Sequence, residues 1–147
     1  MCIRDSLDTD ILLYRAASAA ETEISWGDDV WSLYTDLKDA KASFLRQVTR
    51  ITETLQSDNV LCCLTDHGSN FRKQVDPSYK NNRKGTRKPV CYVALCDWVR
   101  ETFEYVSKPS LEADDVMSIL AGKPENKGKC IIAVSYTHLT LPTILLV

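Results

Sequence analysis

Residues 59–66 read Asn59-Val60-Leu61-Cys62-Cys63-Leu64-Thr65-Asp66, a short apolar run that stops at an acidic residue. Such a run predicts a strand of a parallel sheet, buried on both faces. Side chains alternate along a strand, so Cys62 and Cys63 should point to opposite faces of the sheet. The chain holds six cysteines with no Cys-x-x-Cys pair, and only two histidines to complete a zinc site. Buried free thiols in a reducing compartment are the expected reading.

Upstream of this strand, the apolar positions Val30, Leu33, Leu37, Ala40, Phe44, Val48, Ile51 and Leu55 recur in steps of three and four. That spacing predicts one long amphipathic helix over 30–55, after a break at Trp26-Gly27-Asp28-Asp29. Residues 11–20 are rich in helix formers and predict an earlier helix. Before it, a strand remnant from Leu7 ends at Asp8. Downstream, Arg72 to Pro89 is polar and basic, is broken by Pro77, Gly85 and Pro89, and predicts loop with at most a short helix. A helical pattern returns over 90–104, followed by a short strand over 104–107 that Lys108-Pro109 stops. Ser110 is placed to cap a helix over 111–121, and 128–132 begins another strand. Strands alternating with helices predict an α/β fold, a central mostly parallel sheet flanked by helices. A chain of 147 residues, 44% hydrophobic, is long enough for one domain with its own core. No signal-peptide pattern occurs, and the apolar stretch Leu139 to Val147 is too short to span a bilayer, so a cytoplasmic monomer is expected.

Both ends read as foreign to the fold. Met1-Cys2-Ile3-Arg4-Asp5-Ser6 can be written ATG TGT ATA AGA GAC AGC, whose reverse complement encodes Ala133-Val134-Ser135-Tyr136-Thr137-His138. One DNA segment read in opposite directions thus accounts for both ends, as translated sequencing-adapter DNA would; a genomic inverted repeat is the alternative. Residues 1–6 and 133–147 are therefore set aside, and 7–132 are read as an incomplete natural domain.

The net charge of −2 argues against nucleic acid only as an average. Seven of the 18 Lys and Arg residues (Arg72, Lys73, Lys80, Arg83, Lys84, Arg87 and Lys88) fall in one tract whose sole acid is Asp76. Local charge of this kind supplies non-specific phosphate affinity, and the interleaved Phe71 and Tyr79 offer faces for an unpaired base. Acidic residues gather elsewhere: Asp8 with Asp10, then Asp66, each at or just past the end of a predicted strand, and Glu112, Asp114 and Asp115 in the first turn of a predicted helix. In open α/β sheets ligands bind at the carboxyl edge, where a right-handed crossover also brings the helix N-terminus. Carboxylates converging there require a cation, and hard oxygen donors favour Mg²⁺ or Mn²⁺. Taken singly, each acid has a plainer use as a turn residue, a cap or a complement to the helix dipole.

Three motifs in register carry a family resemblance: Asp66-x-x-x-x-Phe71-Arg72-Lys73, then Asp76-Pro-x-Tyr79-Lys80-x-Asn-Arg83-Lys84-Gly-x-Arg87-Lys88-Pro89, then Leu111-Glu112-Ala-Asp114-Asp115-Val-Met117. The chain resembles, over residues 7–132, the 5′-3′ exonucleases of tailed phages. These are similar to the 5′-nuclease domain of bacterial DNA polymerase I and to flap endonucleases. The resemblance implies a PIN-like sheet and a two-ion Mg²⁺ site, with Asp8, Asp66, Glu112, Asp114 and Asp115 as metal ligands. It implies that Lys80 and Arg83 act at the scissile phosphate, and that Arg72, Lys73, Tyr79, Lys84, Arg87 and Lys88 bind nucleic acid. Asp10 has no firm equivalent. The substrate implied is DNA with a 5′ end or flap, or an RNA–DNA hybrid, hydrolysed at the phosphodiester. Because the second acidic pair expected after Ile131 is absent, the chain by itself should bind weakly and cleave poorly. A PIN-type ribonuclease and a non-catalytic DNA-binding module are the rival readings. The first would prefer single-stranded RNA, and the second would bind DNA in EDTA.

Overall fold

The computed structural model describes residues 5–57, 59–83, 85–126, 132–134 and 144–146. In chain order the elements are β1 (Asp5–Asp8), α1 (Thr9–Ala19), β2 (Glu21–Gly27), β3 (Val30–Thr35), α2 (Leu37–Leu55), β4 (Val60–Cys63), α3 (Phe71–Val75), α4 (Tyr92–Thr102), β5 (Tyr105–Val106), α5 (Ala113–Ala121), β6 (Ile132–Val134) and β7 (Ile144–Leu146). Short 3₁₀ turns lie at Asn81–Arg83 and Pro124–Asn126.

The apolar run that ends at Asp66 does form a strand, β4, and it pairs in parallel with β1. The sheet runs β5-β4-β1-β6-β7 with every neighbouring pair parallel. From β1 the chain builds outward through β4 and β5 on one side and through β6 and β7 on the other. The strand order therefore reverses beside β1, where such sheets leave a crevice at their carboxyl edge. Asp8, the last residue of β1, stands at that point.

Apolar side chains on the two faces explain how the sheet is covered. Cys62 packs with Leu12, Leu13 and Ala16 of α1, Phe44 and Val48 of α2, and Leu95 and Val99 of α4. Cys63 packs with Ala113, Val116 and Met117 of α5. Adjacent residues thus serve opposite layers, as the strand alternation requires, and Cys62, Cys63, Cys91 and Cys96 are all free thiols. Phe44 is fully buried, edge-on to Trp98 at 6.1 Å and to Phe103 at 5.6 Å.

Two predicted boundaries move. The helix expected over 30–55 starts only at Leu37, because Val30–Thr35 pairs antiparallel with Glu21–Gly27 around Asp28-Asp29. Both turn residues hold positive φ, 49° and 59°, the hand that a two-residue hairpin needs. Val30 and Leu33 kept step with Leu37 by coincidence and lie exposed on the hairpin. Asp36 then caps α2, its Oδ1 accepting from the Lys38 amide at 2.8 Å. Helix α5 starts at Ala113, with Glu112 rather than Ser110 as its cap, and the Glu112 amide donates to Asp115 Oδ2 at 3.1 Å. Ser110 sits in the left-handed region at φ 63° and cannot be a helical cap of the usual kind. Of the predicted strand 128–132, only Ile132 lies among the described residues. Asp5 and Ser6 take part in β1, and 144–146 pair with β6. Among the described residues no helix is long and apolar enough to cross a membrane.

Candidate functional site

Three elements deliver acids to the carboxyl edge of the sheet. The end of β1 supplies Asp8, the first turn of α1 supplies Asp10, and the start of α5 supplies Glu112 and Asp114. They line one cleft of about 600 Å³ together with Thr65, His67, Lys80, Tyr92 and the loop residues Thr86, Arg87 and Lys88.

Inside the cleft the acids divide into two electrostatic classes. Asp8 is only 3% exposed. Burial, then the neighbouring charges of Asp114 and Asp10, pushes its carboxyl up from 3.8 to about 7. Burial and the charge of Glu112 raise Asp114 too. Asp10 accepts the Thr65 amide on Oδ2 at 3.0 Å, while its Oδ1 is buried with no hydrogen-bond partner. A buried carboxylate oxygen without a partner is costly and calls for a ligand.

The second class is already neutralised. Glu112 Oε1 accepts from Lys80 Nζ and from Asn70 Nδ2, each at 2.7 Å, and Tyr79 donates its hydroxyl to Oε2 at 3.2 Å. Burial alone would raise Glu112, but Lys80 and the other donors outweigh it and the carboxyl lies below its usual range. Asp115 receives a two-pronged bond from Arg72, Nη1 to Oδ2 at 2.6 Å and Nη2 to Oδ1 at 2.7 Å, which holds it low as well. Local sequence arranges these donors. Asn70 caps the short α3 by accepting the Arg72 amide at 2.9 Å, which fixes Arg72 in the first turn beside α5. Lys80 reaches Glu112 from a left-handed backbone, φ 56°, uncommon for a residue with a Cβ.

Of the residues expected at the site, Asp8, Glu112, Asp114 and Lys80 line the cleft, and Asp115, Arg72 and Tyr79 join them through contacts to Glu112. It does not bring Asp66. That side chain takes the Gly68 amide at 2.9 Å on Oδ1, and the Ser110 amide at 2.8 Å and the Ser69 hydroxyl at 3.2 Å on Oδ2. It ties the loop after β4 to the loop before α5 and lies outside the cleft lining. Asp10, two residues past Asp8 across the strand-to-helix junction, lines the cleft instead. Arg87 also departs from expectation. Its guanidinium is held by Glu21 at 2.7 and 2.8 Å. Lys88 lies over the Tyr92 ring at 4.8 Å, and Lys73 is on the exposed side of α3. Lys84 and the side chain of Arg83 lie outside the described residues. His67, which nothing in the sequence singled out, borders the cleft with its ring 6.3 Å from that of Tyr92, and burial lowers its pKa.

Among the described residues, no three His, Cys, Asp or Glu side chains close into a cluster of cation-binding size. The donor chemistry nonetheless fits a hard divalent cation: Asp8, Asp10 and Asp114 offer oxygens alone, one Asp10 oxygen is orphaned, and burial with neighbouring carboxylates raises Asp8 and Asp114.

Residues 6–136 match the family described as 5′-3′ exonuclease, N-terminal resolvase-like domain. The chain is 36% identical over 129 residues to the exodeoxyribonuclease of Enterobacteria phage T3, covering 83% of this chain and 42% of that protein. The exonuclease of Escherichia phage T7 gives the same identity and coverage. The chain thus spans 42% of the length of these relatives. No solved structure matches it significantly.

Proposed function

The chain belongs to the 5′-3′ exonuclease family, as its N-terminal resolvase-like domain, and from that premise we propose that it is the acid-bearing half of a divalent-metal-dependent nuclease site that hydrolyses DNA from 5′ ends. The observation that carries the reading is the uncompensated trio at the strand-order reversal: Asp8 raised to about 7, Asp114 raised with it, and Asp10 with a buried, unpartnered oxygen. Groups so perturbed beside a cleft mark functional sites more often than structural ones.

Asp8, Asp10 and Asp114 would hold the first Mg²⁺ or Mn²⁺, with a second ion held by acids beyond those described. Bound there, a divalent cation supplies a water of lowered pKa and neutralises phosphate charge. The chain's own cations do the rest. Lys80, 2.7 Å from Glu112, lines the cleft, where a phosphodiester would draw on its positive charge as its non-bridging oxygens gain electron density, while Arg72 holds Asp115 in place behind it. Tyr79, beneath Lys80 at 5.1 Å, presents a ring against which a terminal base can lie. The substrate class is DNA with a free 5′ end or a 5′ flap, with an RNA–DNA hybrid as a secondary substrate.

Manganese binding followed by electron paramagnetic resonance tests the site without requiring turnover. One or more Mn²⁺ should bind the wild-type chain, and Asp8→Asn with Asp114→Asn should abolish it. Cleavage of 5′-labelled duplex DNA by a protein of the relatives' full length should need Mg²⁺ and Asp8. Binding of DNA that survives EDTA and both substitutions would instead favour a non-catalytic module, and preferential cleavage of single-stranded RNA a PIN-type ribonuclease.

A further inference from the structure

Glu21 opens β2 at the root of the hairpin, far in sequence from the basic tract, yet its carboxylate grips that tract's end. Arg87 donates Nη1 to Oε1 at 2.7 Å and Nη2 to Oε2 at 2.8 Å, and the Val90 amide donates to Oε1 at 2.7 Å. The two-pronged Arg87 contact and then the Val90 amide pull the Glu21 carboxyl down to about 2, so it stays ionised under all ordinary conditions. Between Gly85 and Val90 the backbone forms neither helix nor strand. Even so, Thr86, Arg87 and Lys88 form part of the same cleft as Asp8, Asp10 and Asp114. An irregular segment costs conformational entropy to hold, and side-chain anchors must offset that cost. Glu21 supplies three such bonds, two of them a charge-assisted fork.

We propose that Glu21 is a positioning residue for the nucleic-acid wall of the cleft: by holding Arg87 and the Val90 amide it fixes residues 86–90, so that Lys88, not Arg87, is the cation this wall presents to phosphate. The proposal rests on the nuclease reading above, because the wall has a purpose only if nucleic acid enters the cleft. Glu21 neutralises the Arg87 guanidinium and, with the Lys88 carbonyl at 3.0 Å, takes three of its N–H groups, so a phosphate there would compete with a bidentate carboxylate for the charge. Lys88 keeps its ammonium over the Tyr92 ring at the cleft, where a ring face attracts it without neutralising it.

Two measurements on the 1–147 chain separate this role from a merely structural one. Amide hydrogen exchange without DNA reports the clamp itself. In Glu21→Ala the Val90 amide should exchange about tenfold faster, the order expected for losing a hydrogen bond to a charged acceptor. Affinity for a 5′-overhang duplex in Ca²⁺, measured against salt, reports the wall. Lys88→Ala should lower the slope of log K against log salt by about 0.9, one phosphate contact, and leave Val90 protected. Arg87→Met should weaken binding several-fold at fixed salt while leaving the slope unchanged. Glu21→Gln and Arg87→Met keep the test open if Glu21→Ala fails to fold, since both disturb the clamp without deleting the side chain. Unchanged Val90 exchange in the Glu21 variants overturns the proposal, as does lost protection with unchanged affinity. A drop of one contact in the slope for Arg87→Met would also overturn it, by making Arg87 the phosphate ligand. If the wild-type chain shows a protected Val90 amide but no DNA binding at any salt, the nucleic-acid reading has failed while the clamp stands, and the assigned role falls with it.

Discussion

Replacing Asp8 by asparagine should stabilise the metal-free protein at neutral pH, although Asp8 is among the most buried polar side chains in the fold. The side chain is 3% exposed, and burial together with Asp114 and Asp10 raises it from 3.8 to about 7. In the window between those two values the folded chain keeps a proton that the unfolded chain has released. Unfolding therefore releases a proton there, and stability falls as pH rises, by up to about 1.4 kcal/mol per unit. Above pH 7 the whole difference is felt, roughly 4 kcal/mol over about three units. Asparagine cannot ionise, so the variant escapes this penalty. Its amide hydrogens need partners in a buried place, which returns about 1–2 kcal/mol. The expected outcome is a variant more stable by about 2–3 kcal/mol at pH 8 in EDTA, with the gap closing near pH 5 and reversing to about 1–2 kcal/mol in favour of the wild type toward pH 4. Urea denaturation of both proteins at unit steps from pH 4 to pH 8 measures it. The reasoning fails if the wild type holds its stability across that window relative to the variant, or if Asp8→Asn is the less stable protein at pH 8. Adding Mg²⁺ at pH 8 should raise the wild type alone, because only the carboxylate can gain from a cation.

Lys80→Ala should take from Glu112 its nearer cation, leaving Arg72 at 3.5 Å, and slow single-turnover cleavage by a full-length protein about 10²-fold, with a smaller change in DNA affinity. Phe44→Ala removes a fully buried ring from between Trp98 and Phe103 and should cost about 3–5 kcal/mol in urea denaturation. Arg72→Met should cost about 2 kcal/mol at pH 7. Asp115 lies below 3.8 in the fold through its bond to Arg72, so that stabilisation is full above 3.8 and fades as pH falls through the lowered value; acid titration of both proteins should show the difference vanish there. Sequencing the source locus outward from the codons for Leu7 and Ile132 should reveal coding sequence unlike Met1–Ser6 and Ala133–His138, and a native continuation through Val-Ser-Tyr-Thr-His would defeat the adapter reading.

What was legible in the sequence was what depends on local periodicity and on contacts near in the chain. The run Val60–Cys63 and the steps through Ala40, Phe44, Val48 and Ile51 each specify an element and its buried face without help from the rest of the molecule. The hairpin was not legible, because Val30 and Leu33 satisfy a helical period as well as a strand alternation. Only the Gly27-Asp28-Asp29 turn, which can hold positive φ, breaks the tie. At the site, Glu112, Asp114 and Asp115 were legible as first-turn acids of α5. The split between Asp10 and Asp66 was not. Both follow strands, and which one meets the cleft depends on the loop after β4 folding back so that the Gly68 and Ser110 amides claim Asp66. Likewise a basic tract reads as uniform charge in one dimension, and only the tertiary fold pairs Arg87 with Glu21.

The division of the acids also constrains how substrate can enter. On the nuclease reading Lys80 is the lining cation that would meet a scissile phosphate, but it is already bonded to Glu112 at 2.7 Å, as Arg72 behind it is to Asp115 at 2.6 Å. A phosphate must share or exchange those partners, so its binding energy there is the difference between two charge-assisted contacts rather than the full worth of one. If Lys80 leaves Glu112, the buried carboxylate keeps Asn70 and Tyr79 as donors and loses its strongest compensation. Its charge then acts on Asp114, which Glu112 already raises. Binding of phosphate at Lys80 and demand for a cation at the Asp8, Asp10 and Asp114 trio are therefore coupled in the same direction: occupying one makes the other more favourable. By linkage the reverse must hold to the same degree, so Mg²⁺ should tighten DNA binding by the factor by which DNA tightens Mg²⁺ binding. Glu112→Gln, which removes the charge but keeps the shape, should shrink both factors together.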